Sequence, residues 1–112
     1  MADNAYADLK GKVLSPADMV AYQDGSVVSR MLAFTKAGTV TLFAFSEGEG
    51  LSEHTAPFDA IAYIMEGDAQ VVIDGVEYLL AAGELIIMPA NIPHAVYACT
   101  DFKMMLIMIH AS

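Results

Sequence analysis

From Gly25 onward the chain is a succession of short apolar runs, each closed by glycine, proline or an Asx turn, with almost no helical period. Residues 26–34 and 39–45 read as two strands joined at Lys36-Ala37-Gly38. Residues 60–65 read as a third. Residues 69–73 and 76–80 form a hairpin around Asp74-Gly75, a two-residue loop in which both positions tolerate positive φ. Residues 85–88, a rigid turn over 89–93, and strands over 94–99 and 102–110 complete the series. Strands of this length, repeating at intervals of about 8–12 residues, form a sandwich or a barrel. The fold class is all-β.

Two runs are apolar on both faces. In the second strand Val40, Leu42 and Ala44 alternate with Thr41, Phe43 and Phe45; in the last, Met104, Leu106 and Met108 alternate with Met105, Ile107 and Ile109. One face of each fills a barrel, and the other needs a second sheet or a second subunit. Apolar residues make up 56% of the 112, against about 45–50% in an ordinary globular chain. A chain this short is one domain, residues 1–112, with little interior, so the surplus predicts a homodimer. The eight methionines read as adaptable packing for a core or a dimer face.

The N-terminal arm, residues 1–24, starts with a polar, loose stretch over 1–12. Ser15-Pro16-Ala17-Asp18 then has the order of a helix start, and Gln23-Asp24-Gly25 stops it after two turns at most. One short N-terminal helix, an edge decoration, is expected there. The formal charge is −9, and the five basic residues are scattered, so no patch can neutralise a row of phosphates. Nucleic acid and anionic membranes are excluded as partners. No apolar run approaches the roughly 20 residues of a bilayer span, and no signal-peptide core is present at the N-terminus, so a cytoplasmic location is expected. Cys99 is the only cysteine; its apolar sequence neighbours predict a buried, inert thiol.

The chemistry concentrates in two stretches, GEGLSEHTAPFDAIAYIMEG over 48–67 and GELIIMPANIPHAVYA over 83–98. Gly48, five residues, His54 and a closing Gly67 mark the first; Gly83, five residues, Pro89 and later His94 mark the second. Both resemble the motifs of the cupin superfamily, small jelly-roll barrels also called double-stranded β-helices, and the likeness spans roughly residues 25–110. Asn91 stands where that family usually has glycine. The resemblance implies a barrel of RmlC-like type with a pocket. In metal-binding members two histidines and a glutamate from the first motif and one histidine from the second hold the ion. Carried over, the positions are His54, Ala56, Ala60 and His94, so two of the four ligands are alanine.

Stable sites for iron, zinc, nickel or manganese need three or four protein ligands, and His54 and His94 supply two. Asp59 is the candidate third, although on a strand its offset of one residue from position 60 turns it to the opposite face. Replacing a histidine and a glutamate by alanine leaves a roomier, more apolar cavity with two imidazoles and Asp59 at its rim. Three readings follow. The first is a small-molecule-binding cupin whose ligand is oriented by His54, His94 and Asp59. The second is a metal-dependent enzyme of oxygenase or isomerase type using His54, His94 and Asp59. The third is a non-catalytic sensory or structural module. His110 has no place in the ligand set, and strand packing accounts for Phe58 and Tyr63.

Overall fold

The structure is a computed structural model describing residues 2–110; residue 1 and residues 111–112 of the expected domain lie outside the described residues. Among the described residues, nine strands form two antiparallel sheets. One runs β1 (Val27–Thr35), β2 (Gly38–Phe45), β9 (Phe102–Ile109), β4 (Asp59–Glu66), β7 (Leu85–Met88). The other runs β3 (Gly50–His54), β8 (His94–Ala98), β5 (Asp68–Ile73), β6 (Val76–Ala81). The last strand thus lies between the second and the fourth, and the two motif strands β3 and β8 are neighbours. Connections that cross between two sheets in this way build a jelly-roll barrel. The Asp74-Gly75 hairpin is present as expected, with φ of 50° at Asp74 and 81° at Gly75.

The inward face of β9 explains the interior. Phe102 pairs with Phe45 across the β2–β9 ladder, and the two rings stack at 4.4 Å with an interplanar angle of 3°. Phe43 stacks on Phe45 at 5.6 Å. Both Phe45 and Phe102 are fully buried and plug one end of the barrel with Ile64, Ala69 and Ala98. Such rings are among the largest hydrophobic contributors a core holds. Farther along β9 the same face presents Met104, which is buried in the core and also borders a cavity, and then Leu106 and Met108, which line that cavity.

The outward face has a different cover from the one expected. Val20, Leu42 and Ala44 are buried together, with Met19, Tyr22, Val28, Leu32, Met65 and Met105 packed around them. Part of the outer sheet surface is therefore covered by the chain's own N-terminal segment, with no second subunit required there. A polar clamp fixes that segment: Tyr22 Oη donates to Glu66 Oε2 (2.6 Å), and Lys103 Nζ donates to the Ala17 carbonyl (2.6 Å) while lying 3.8 Å from Glu66. Burial, then the hydrogen bond to Glu66, pushes the Tyr22 hydroxyl well above the usual phenol range.

Two expectations for the arm are corrected. The stretch read as loose contains α1 (Ala2–Leu9), which lies against β1. The helix expected after Ser15 is only a single 3₁₀ turn, Pro16–Asp18, and Ser15 makes no side-chain cap. Asp18 and Met19 donate to carbonyls three residues back, and the chain then extends because Val20 and Tyr22 gain more by lying on the sheet than by continuing a helix.

Gly67, the closing glycine of the first motif, shows why the β4–β5 connection demands that residue. Its φ is 80°, and a Cβ would run into the Asp101 carbonyl oxygen and lie 2.7 Å from Phe102 Cβ. Gly83, with φ of 88°, has open space around the same position. Gly83→Ala should therefore cost only left-handed strain, about 1–2 kcal/mol. Gly67→Ala should cost a further 1–3 kcal/mol or so from overpacking. Urea denaturation of the two variants measures the difference; equal losses would refute the steric account.

Candidate functional site

The site is built by one irregularity in the β3–β8 ladder. Gly50 pairs with Tyr97 and Leu51 with Val96, but the next pair is His54 with His94, so β3 carries one extra residue between Leu51 and His54. In a regular ladder Glu53 would oppose His94. The bulge shifts the parity by one and brings His54 to the inner face instead, three residues after the inward Leu51. The two rings meet edge to face, with centroids 4.4 Å apart and an interplanar angle of 69°.

Both histidines are oriented by their own strands. His54 Nδ1 donates to the Ser52 carbonyl (2.8 Å), a group inside the bulge, and His94 Nδ1 donates to the Ile92 carbonyl (3.2 Å). A carbonyl oxygen only accepts, so the proton of each neutral ring sits on Nδ1 and the Nε2 lone pair is free. Among the described residues, neither Nε2 has a protein partner. His94 is buried, at 4% exposure, while His54 is exposed. Burial lowers the His94 pKa from its ordinary 6.5; the Ile92 hydrogen bond opposes this, and neighbouring His54 adds to it.

Behind the rings lies a cavity of about 60 Å³. Ala56 and Ala60 line it beside His54 and His94, so the four positions carried over from the motifs do converge. The rest of the wall is apolar: Leu51 and Val96 from the histidine strands, Met88 from β7, and Met104, Leu106 and Met108 from β9.

Asp59 is not in that wall. Its Oδ1 accepts the Ala90 N–H (2.9 Å), and Asn91 N–H donates to the Ala56 carbonyl (2.7 Å). Together these bonds pin the 89–93 turn that leads into His94. Asn91 has φ of 65° there, which accounts for glycine or asparagine at the position. Asp59 is a positioning residue for the turn, one face away from the cavity, because Ala60 takes the inward place on β4. Among the described residues no three His, Cys, Asp or Glu side chains are grouped to hold a metal ion.

Three further residues stand apart from the cavity. Cys99 is exposed, not buried as its neighbours in sequence predict, because Ala98 takes the inward place at the end of β8. His110 stacks on Phe58 (4.1 Å) and its Nδ1 lies 3.3 Å from the Lys36 carbonyl, contacts that no local sequence signal announces. Tyr63 pairs with Leu85 and Met105 on the outer face of the sheet.

Two sheets closed into a barrel, with a histidine from each motif at one mouth, define a cupin-type domain. The model of the cupin-domain family matches residues 41–110, and the chain belongs to that family. A conserved protein of unknown function from Streptococcus pyogenes is 34% identical, with 91% of this chain and 90% of that one covered and a TM-score of 0.87. A cupin 2 conserved barrel domain protein from Leptotrichia buccalis is 38% identical over 84% of this chain and 46% of its own length, with a TM-score of 0.82. A cupin superfamily protein from Desulfitobacterium hafniense is 26% identical over 91% and 94%, with a TM-score of 0.85. No curated protein matches the chain.

The lowered pKa of His94 has a thermodynamic consequence. A histidine that binds its proton less readily folded than unfolded contributes stability that is complete above the unfolded value, 6.5, and is lost as pH falls through the lower folded value. Chemical denaturation from about pH 8 down to pH 5 should show stability falling with acid, with a shallower fall in His94→Gln. Parallel profiles for the two proteins would refute this coupling.

Proposed function

We propose that the chain is a single-domain cupin that binds a small molecule in its barrel, with His54 and His94 orienting the ligand at the mouth. One observation carries this reading: two imidazoles with free Nε2 atoms stand at the open end of an otherwise apolar cavity. Unpartnered acceptors against an apolar wall are the usual composition of a site that fixes a ligand by a few polar contacts. Asp59 contributes by holding the 89–93 turn in place.

The metal-dependent reading, an oxygenase or isomerase holding iron, zinc, nickel or manganese, has one feature in its favour. Each Nδ1 is committed to a carbonyl, the arrangement that usually orients a ligating histidine. The donor set nevertheless does not fit. Two imidazoles face the cavity, the other two carried-over positions are methyl groups, and the Asp59 carboxylate is occupied outside the wall. Such an ion needs a third or fourth protein ligand. A sensory or structural module without chemistry remains compatible with the same binding site.

A fragment screen by ligand-observed NMR tests the binding reading, alongside metal content by elemental mass spectrometry on untagged protein purified without metal resin. Fragments should bind the wild type and lose about tenfold or more in affinity with His54→Ala or His94→Ala, roughly the 1.4 kcal/mol expected of lost polar anchors. Metal should be substoichiometric and equal in wild type and the double variant. Unchanged fragment affinities in both single variants would sink the proposed role. One metal per chain, lost in the double variant, would establish the metalloprotein instead.

We also propose a homodimer formed through the outer face of β9, β4 and β7. Ile107, Ile61 and Ile87 form one cross-strand row there, and Met105, Tyr63 and Leu85 the next. The N-terminal segment covers the Met105 end, but Leu85 and Ile87 at the far edge are each 55% exposed, as is Ile109. An apolar row that continues past its intramolecular cover suits a self-complementary partner. Light scattering should give a dimer for the wild type and a monomer for Leu85→Lys with Ile87→Lys; a monomeric wild type would refute the assembly.

A further inference from the structure

The two histidines limit what kind of molecule the cavity accepts. Each neutral ring spends its only N–H on a backbone carbonyl, His54 on Ser52 and His94 on Ile92. What faces the cavity is a pair of acceptors. Every other lining side chain is Ala, Val, Leu or Met, and none of these carries an N–H or O–H. With neutral imidazoles the wall therefore offers two hydrogen-bond acceptors and no side-chain donor. A carboxylate or phosphate would surrender its hydration and find only lone pairs. A hydroxyl group, by contrast, meets an acceptor, and two adjacent hydroxyls match two rings whose centroids are 4.4 Å apart. The chain's formal charge of −9 opposes the approach of anions from solution in the same sense. The enclosed space is only about 60 Å³, so it takes part of a compact apolar body while the hydroxyls are held at the open mouth.

We propose that the ligand of this cavity is a small, uncharged, hydroxyl-bearing molecule, such as a phenol or a vicinal diol on an apolar body, and that the site rejects carboxylates and phosphates. This rests on reading the cavity as a binding site. The selectivity belongs to the neutral state of the rings. His54 and His94 are the only titratable side chains in the wall contributed by β3, β4, β7, β8 and β9. Burial of His94 extends the pH range over which its ring stays neutral.

Three probes of similar size separate the cases: catechol with two donors, 1,2-difluorobenzene with none, and benzoate as an anion without a donor. Dissociation constants measured by NMR near pH 8 should place catechol about tenfold or more below both others. His54→Ala, a change at an exposed position, should erase the advantage over 1,2-difluorobenzene while the latter still binds, which also reports an intact cavity. If 1,2-difluorobenzene or benzoate matches catechol near pH 8, the donor rule is overturned and the pocket stands. If none of the three binds or moves the His94 ring signals, the rule falls together with the binding reading.

Discussion

The rest of the site depends on how β3 pairs with β8. Opposed residues in an antiparallel ladder share a face, so His94 is followed across the strands by whatever residue the register delivers. Had β3 paired without the bulge, Glu53 would stand opposite His94, and the mouth would hold a carboxylate beside an imidazole. The extra residue between Leu51 and His54 delivers a second imidazole instead. It also creates the local geometry in which the Ser52 carbonyl meets His54 Nδ1. A single bulge thus decides the identity, the orientation and the tautomer of one half of the polar pair. The other half is set by the 89–93 turn, held by Asp59 Oδ1 and the Ala56 carbonyl.

The same strand-pairing logic separates the ends of the barrel. Along the inward face of β9, Phe102 is stacked against Phe45 and fully buried, whereas Leu106 and Met108 border the cavity. Stability is concentrated at the plugged end, where ring stacking and close packing coincide. The open end has been cleared by small side chains, Ala56 and Ala60, and softened by flexible thioethers. The wall of the open end is nevertheless continuous with that core, since Ala60, Met88, Val96 and Met104 belong to the same buried cluster as Phe45 and Phe102.

Much of this was legible from residue order alone. The Asp74-Gly75 hairpin, the two-faced alternation of β9 and the spacing of His54 and His94 from their motif glycines each carry a local signal, and the structure contains each feature. What escaped is non-local. The bulge leaves no mark in the composition of Ser52-Glu53, because it is a property of two strands counted together. The 3₁₀ turn replaces a helix because Val20 and Tyr22 have a sheet surface to lie on, which the arm's own sequence does not reveal. Asp59 has the right chemistry for a ligand; only the inward placement of Ala60 and the Ala90 hydrogen bond show that it serves the turn. Cys99 is exposed for a related reason: apolar neighbours along a strand alternate sides, so they say little about burial at its end.

The unequal surroundings of the two rings give them different parts to play. His94 is enclosed, and burial favours its neutral form, so it is a fixed acceptor deep in the mouth. His54 stands in solvent on a bulged edge strand, with its ring set against that of His94. The neighbouring His54 adds to the effect of burial in disfavouring the charged form of His94. Without a carboxylate in the wall to hold an imidazolium, nothing in the cavity stabilises that charged state except a ligand that brings its own negative charge. The absence of an acidic partner is thus as important to the chemistry of this site as the presence of the two histidines.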